Sequence, residues 1–415
     1  MLQTTLRSPA SKLSRAKLEG VLTSPDAEGF VGWLYQQGYR PSTVAEFLRS
    51  LPAWTDWMRA AGLSETNVHA GFEAYKLQLS QHDGPRHGSN IGQRSLRAAS
   101  RFIRYLEDKG VVGRREPPPS PIAAWPLLGE FRAWMREHRG LTEPTLDVYQ
   151  GILIGLVETV GITPSSYTPE KLRDFVLQRA RSRTVEGART IVAAVRALLR
   201  FLGATGRCPA GLEYAIPGFA AWRLSSVPKF LGPVEVEQLI ASCADDNIGR
   251  RNRAVLLLLA RLGLRASDVA HLKFDDIDWC NGKIIVCGKG RHHEWLPLTQ
   301  EVGDSILLYI LYARPPLPVP QVFTRALAPL GPLSRLGITE IVRTALQRTG
   351  IKSPINGAHV LRHSAAAAML QQGMSLAGIG AVLRHRSSDT TARYAKVDLR
   401  LLSEITQPWP EGPSC

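Results

Sequence analysis

The proline run at residues 116–121, EPPPSP, cannot lie inside a helix or a central strand. Each proline fixes φ and lacks an amide proton, and a cluster of them holds the backbone extended. The chain must therefore fold as separate pieces on either side of it. A second break falls in AIPGFAAWRLSSVPKFLGP, residues 215–233. These breaks predict a basic tail at 1–24, a helical domain at 25–115, the linker 116–121 and a second helical domain at 122–215. A linker at 216–230, a third domain at 231–406 and a tail at 407–415 complete the division. A chain of 415 residues is long enough for several cores.

The two helical pieces resemble each other, as an internal repeat would. GFVGWLYQQGYRPSTV (residues 29–44) is similar to GEFRAWMREHRGLTEPTL (residues 129–146), each with a Phe and a Trp three positions later. RAASRFIRYLEDKG (residues 97–110) aligns without gaps on AAVRALLRFLGATG (residues 193–206). Apolar residues recur at helical spacing in both, and each run stops at glycine. Both pieces read as small helical bundles.

The third piece changes character. GPVEVEQLIASC and GRRNRAVLLLLARLGL read as helices, and RASDVAHL opens another, with Ser267 or Asp268 near its N-terminus. FDDIDW, KIIVCG and EWLPL read as three short strands joined by tight turns, and helices return from Val302 onward. The expected fold class is multidomain: mainly α-helical N-terminal bundles, then an α+β domain with a small three-stranded antiparallel sheet.

Lysine and arginine total 51 against 36 acidic residues, a formal charge of +15. Such an excess favours a polyanionic partner. Arg97, Arg101 and Arg104 share a face of the first bundle's last helix, while Arg179, Arg181, Arg183 and Arg189 cluster in the second bundle. These arginines, with Arg291, are the candidate DNA contacts, although a solvated charged face would look the same. Five cysteines at irregular spacing match no zinc or disulfide framework. Packed free thiols, no signal-peptide pattern and no apolar run of spanning length predict a cytoplasmic, bacterial, nucleoid-associated protein with no membrane contact.

One set of residues has an evident chemical use. Arg265, Lys289, His359, Arg362, His385 and Tyr394 supply cations, proton carriers and a phenol. Arginine forks suit the non-bridging oxygens of a phosphodiester. A tyrosine can attack phosphorus if its proton, with a reference pKa of about 10, is removed. His359 is a candidate acceptor, and His385 can bond the phosphate or place the phenol. Lys289, between Gly288 and Gly290, can protonate the leaving 5′ oxygen. Asp268 can pair with Arg265 in support. His292 and His293 are adjacent and would point to opposite faces of a strand, so no metal is expected, and no cofactor.

The motifs ARLGLRASDVAHL, GKGRHHEWLPL, HVLRH and LRHRSSDTTARYA, in that order, resemble the tyrosine recombinase (phage integrase) family. The resemblance is strong over residues 231–397 and moderate over the second helical piece. It implies a SAM-like core-binding bundle and a catalytic domain clamping double-stranded DNA at specific core sites. Tyr394 would be the nucleophile forming a 3′-phosphotyrosyl link, later attacked by a 5′-hydroxyl, with four protomers in the synaptic complex. Integration or excision of a mobile element is the expected role. A type IB topoisomerase or an inactive DNA-binding protein are the competing readings.

Two departures stand out. The family commonly has glycine before its second histidine, where this chain has Arg384, which could alter the turn holding His385. The first helical piece is an addition. After Tyr394, Leu399, Leu402 and Ile405 fall at helical spacing, as in tails that dock on a neighbouring protomer.

Overall fold

The computed structural model describes residues 24–63, 67–82, 89–115, 125–220, 228–287, 293–385 and 387–397. The described residues divide into two compact units: those between 114 and 225 form one, and those before 114 and after 225 form the other.

The larger unit begins with helices α1 (Ser24–Gln36), α2 (Pro41–Ala60), α3 (Val68–His82) and α4 (Ser89–Lys109). Their core is aromatic. Phe30 meets Phe102 edge-on at 5.1 Å and Tyr105 at 5.6 Å, and Trp33 lies 6.2 Å from Tyr105. Such ring pairs add stabilisation beyond the area they bury. Trp54 is fully buried among them.

The smaller unit holds α5 (Pro126–Arg139), α6 (Glu143–Val160), α7 (Pro169–Ala180) and α8 (Val185–Ala204). The Thr168 and Thr184 hydroxyls accept from the amides of Lys171 and Gly187, starting α7 and α8. Gly140, at φ 58°, ends α5 in the left-handed conformation that glycine adopts without strain. Phe131 and Trp134 pack on Phe201 at 5.8 and 5.7 Å. The gapless alignment of residues 97–110 on 193–206 places Tyr105 over Phe201. In both bundles, therefore, a first-helix Phe and Trp meet the same aligned ring of the last helix.

The rest of the larger unit continues with α9 (Pro233–Ala241), α10 (Asn247–Arg261) and α11 (Ala266–His271). Asp246 caps α10 by accepting from the Gly249 amide at 2.6 Å. Residues Ala254, Val255, Leu256, Leu257, Leu258 and Leu259 are all fully buried, so this stretch of α10 is enclosed on every side and anchors the core. Strands β1 (Ile277–Asp278), β2 (Lys283–Cys287) and β3 (His293–Pro297) form an antiparallel sheet in that order. Ile284 pairs with Ile277 and Leu296, and these three side chains are buried. Helices α12 (Gln300–Tyr312), α13 (Arg335–Thr349), α14 (His359–Gln371), α15 (Leu376–Val382) and α16 (Ser388–Ala392) complete the order.

Two expectations need adjusting. The first strand is shorter than FDDIDW, because residues 274–276 form a 3₁₀ turn whose Asp276 carboxylate accepts from the Lys273 amide at 2.8 Å. Cys280 is an exposed free thiol in the β1–β2 turn rather than a packed one. The first bundle also shares a compact unit with the third piece: the Leu330 amide donates to Gln37 O at 2.9 Å, and Ala328 packs on the aromatic core of α1–α4. Among the described residues, no helix is long and apolar enough to cross a membrane.

Candidate active site

A cleft of about 490 Å³ in the larger unit is lined by Arg265, His359, Arg362, His385 and Tyr394, with His363, Thr390 and Arg393 beside them. The structure thus brings together five of the six residues singled out from the sequence. The sixth, Lys289, lies outside the described residues, as do Arg291, His292 and the tail residues Leu399, Leu402 and Ile405.

Local structure explains the convergence. Gly263, at φ 60°, ends the buried α10 and turns the chain, so that Arg265 stands at the N-terminus of α11. The Asp268 carboxylate reaches back one turn and accepts from the Arg265 amide at 3.0 Å. Helix α14 starts at His359, so His359, Arg362 and His363 lie within its first turns and share a face. Arg362 is buried, and its two terminal nitrogens donate to Gly263 O at 2.5 Å and to Leu383 O. Arg265 donates through Nη2 to Arg384 O at 3.2 Å. The two arginines are therefore aimed by backbone carbonyls, which leaves protons on both forks for a phosphate.

The proton carriers are set by burial. Tyr394 is buried, and burial raises its phenol pKa while Arg362 and Arg393 pull it back. The phenol is therefore protonated at neutral pH. His363 Nδ1 lies 2.6 Å from Tyr394 Oη. Burial, with His359, Arg393 and Arg362 close by, pushes the His363 imidazole down to about 4, so it is neutral and able to accept. Burial and the arginines Arg362 and Arg265 likewise push His385 down to about 4 and lower His359. His385 Nδ1 is fixed by Thr391 Oγ1 at 2.7 Å.

The ring within hydrogen-bond distance of Tyr394 Oη is that of His363, one helical turn beyond the candidate acceptor His359. The sequence held the signal, since HVLRH carries two histidines at i and i+4 on one face. Asp268 and Arg265 approach to 3.9 Å between carboxylate and Nη1, but the shorter ion pair of Asp268 is with Arg384, at 2.5 Å. Among the described residues, no cluster of three or more His, Cys, Asp or Glu is placed to hold a metal ion.

Away from the cleft, Arg179, Arg181, Arg183 and Arg189 are all exposed on the smaller unit. Arg189, Arg196 and Arg200 line one hollow with Arg139, Trp134 and Tyr149. The sequence reading passed over Arg139, Arg196 and Arg200, although steps of seven and four along α8 put Arg196 and Arg200 on the face of Arg189. On α4, Arg97 and Arg104 are exposed and Arg101 is half-buried, and Arg104 lies 3.9 Å from Asp108.

Residues 229–400 match the phage integrase family profile. A Sinorhizobium fredii protein named as an integrase/recombinase, y4rA, is 34% identical over 387 residues, covering 92% of this chain and 93% of that protein. The tyrosine recombinase XerD of Listeria monocytogenes is 27% identical over 293 residues, 67% of this chain and 96% of its own. In fold, the chain is similar to the XerH site-specific recombinase in a post-cleavage complex with a palindromic difH substrate. That match has TM-score 0.55 at 19% identity, covering 67% of this chain and 83% of that one. It is also similar to a lambda integrase dimer bound to a COC′ core site, with TM-score 0.53 at 16% identity over 69% and 97% of the two chains. The chain belongs to the phage integrase family and is a tyrosine-type site-specific recombinase.

Proposed function

We propose that this cleft cuts and rejoins double-stranded DNA at specific core sites through Tyr394, in the service of a mobile element. The observation that carries the reading is the phenol of Tyr394, hydrogen-bonded at 2.6 Å to a neutral His363, in a cleft that also holds Arg265 and Arg362. A scissile phosphate there meets two cations on its non-bridging oxygens. Tyr394 Oη attacks phosphorus as its proton passes to His363, and the bond from phosphorus to the 5′ oxygen breaks. Lys289 protonates that oxygen, leaving a 3′-phosphotyrosyl link and a free 5′-hydroxyl. Attack by the 5′-hydroxyl of another strand reverses the sequence of steps. The linkage conserves the phosphodiester's bond energy, so no cofactor enters the balance.

His385 and His359 are assigned to the phosphate, and Asp268 to the support of Arg265. The exposed Arg179, Arg181, Arg183 and Arg189, on and between α7 and α8, are assigned to the DNA backbone. Contacts of that kind place a duplex without reading its sequence. The working assembly is a tetramer on two duplexes, and its seat is the bacterial cytoplasm, on the nucleoid. The name of the Sinorhizobium fredii relative and the DNA-bound state of the structural neighbours support this reading.

The test is strand exchange. Two plasmids carrying the flanks of the gene are incubated with the protein, and new junctions are sequenced. Junctions at one reproducible point are expected. Relaxation of plasmids without any junction would replace the recombinase reading with a topoisomerase.

A further inference from the structure

Three consecutive residues after α15 serve the cleft. Leu383 O accepts from Arg362, Arg384 O accepts from Arg265 at 3.2 Å, and His385 lines the cleft itself. Among the described residues, Arg384 is the one non-glycine with positive φ, at 53°. A side chain with a β-carbon is strained there, and glycine is not. Yet the Arg384 side chain is 2% exposed and forms an ion pair at 2.5 Å with Asp268, itself 6% exposed. The same carboxylate oxygen accepts from the Arg265 amide at 3.0 Å. The side chain therefore ties the turn 383–385 to the N-terminus of α11, while the backbone of the same residue holds the Arg265 fork. Its Nε and Nη1 find no partner among the described residues, so Asp268 is the contact that fixes it.

We propose that Arg384 is a positioning residue for strand cleavage, setting Arg265 against the scissile phosphate through Asp268 and its own carbonyl. The inference rests on the phosphodiester reading of the cleft. It assigns to this chain a cross-brace that a glycine at the same place cannot make. Because Arg384 is enclosed, its effect reaches the phosphate through Arg265 and not by contact.

The experiment is single-turnover cleavage of a duplex carrying the mapped site, with either an ordinary phosphate or an uncharged methylphosphonate at the scissile position. Arg384→Gly relieves the backbone and removes the brace. It is expected to bind the duplex within about twofold of wild type and to cut the ordinary phosphate about tenfold or more slowly, short of the 10²–10³ typical of losing a direct donor. On the methylphosphonate, which has no charge to neutralise, the deficit is expected to shrink below about threefold. Arg384→Lys should recover part of the rate, and adding Asp268→Asn to Arg384→Gly should cost no more than the worse single change. Wild-type cleavage rate in Arg384→Gly, or an equal deficit on both substrates, would overturn the proposal. Failure of wild type to cut would overturn the phosphodiester reading and the inference with it.

Discussion

Replacing His363 with alanine removes the group hydrogen-bonded to the Tyr394 phenol, the proposed nucleophile, and leaves both arginines in place. The phenol is held above its usual pKa by burial, so spontaneous ionisation near neutrality is scarce. His363 sits at about 4. At pH 7 it is therefore protonated in only about one molecule in a thousand, and the acceptor is ready almost always. Losing a positioned proton acceptor costs about 10²–10⁴ in rate, and His363→Ala is expected in that range. The pH profile adds a second signature. A histidine with the usual pKa of about 6.5 would make the rate climb between pH 6 and 7. The depressed pKa makes the wild-type profile flat there, with loss only toward pH 4, where His363 and His385 both gain protons. The assay is covalent complex formation on a nicked duplex, quenched in detergent and followed by gel. A His363→Ala rate within about threefold of wild type, or a wild-type rate rising through pH 6.5, would refute the reasoning.

Other outcomes follow from the same structure. Asp268→Ala strands the enclosed Arg384 guanidinium, a loss of about 3–5 kcal/mol that should lower Tm by about 5–8 °C in calorimetry. Acid should also destabilise the fold. His359, His363 and His385 all bind protons less readily folded than unfolded, so the unfolded chain holds more protons between about pH 6.5 and 4. Their contribution is complete above about pH 6.5 and is lost as pH falls toward 4, which denaturant midpoints across that range would reveal. DNA affinity should fall steeply with salt, as counterion release requires. A fluorescence titration flat between about 50 and 200 mM salt would contradict backbone binding through the exposed arginines.

The parts of this account that the sequence makes legible are those carried by local pattern. Helix α10 announces itself in AVLLLLARLGL, since an apolar run closed by glycine has few other uses. The sheet follows from the short β-branched run in KIIVC and the tight turns on either side of it, though the first strand shrinks because an Asp276 cap outcompetes pairing at residues 274–276. Motif order names Arg265, His359, Arg362, His385 and Tyr394, and the cleft gathers them. What sequence reading passed over depends on three-dimensional neighbours. His363 acquires its meaning from a tyrosine 31 positions away. Arg384 looks like a disturbance of a glycine turn until its partner Asp268, 116 positions earlier, is seen beneath it. The Phe–Trp repeat is visible in the sequence, but its reason, a shared ring at Tyr105 and Phe201, is a packing fact.

The central claim is that Tyr394 becomes covalently joined to DNA. The most direct measurement is capture of that link. Protein and supercoiled DNA carrying the gene's flanks are mixed, denatured and digested, and the tryptic peptides are analysed by mass spectrometry. A nucleotide attached to the peptide that contains Tyr394, absent in Tyr394→Phe, is the predicted result. An adduct on another residue, or one that persists in Tyr394→Phe, would contradict the account.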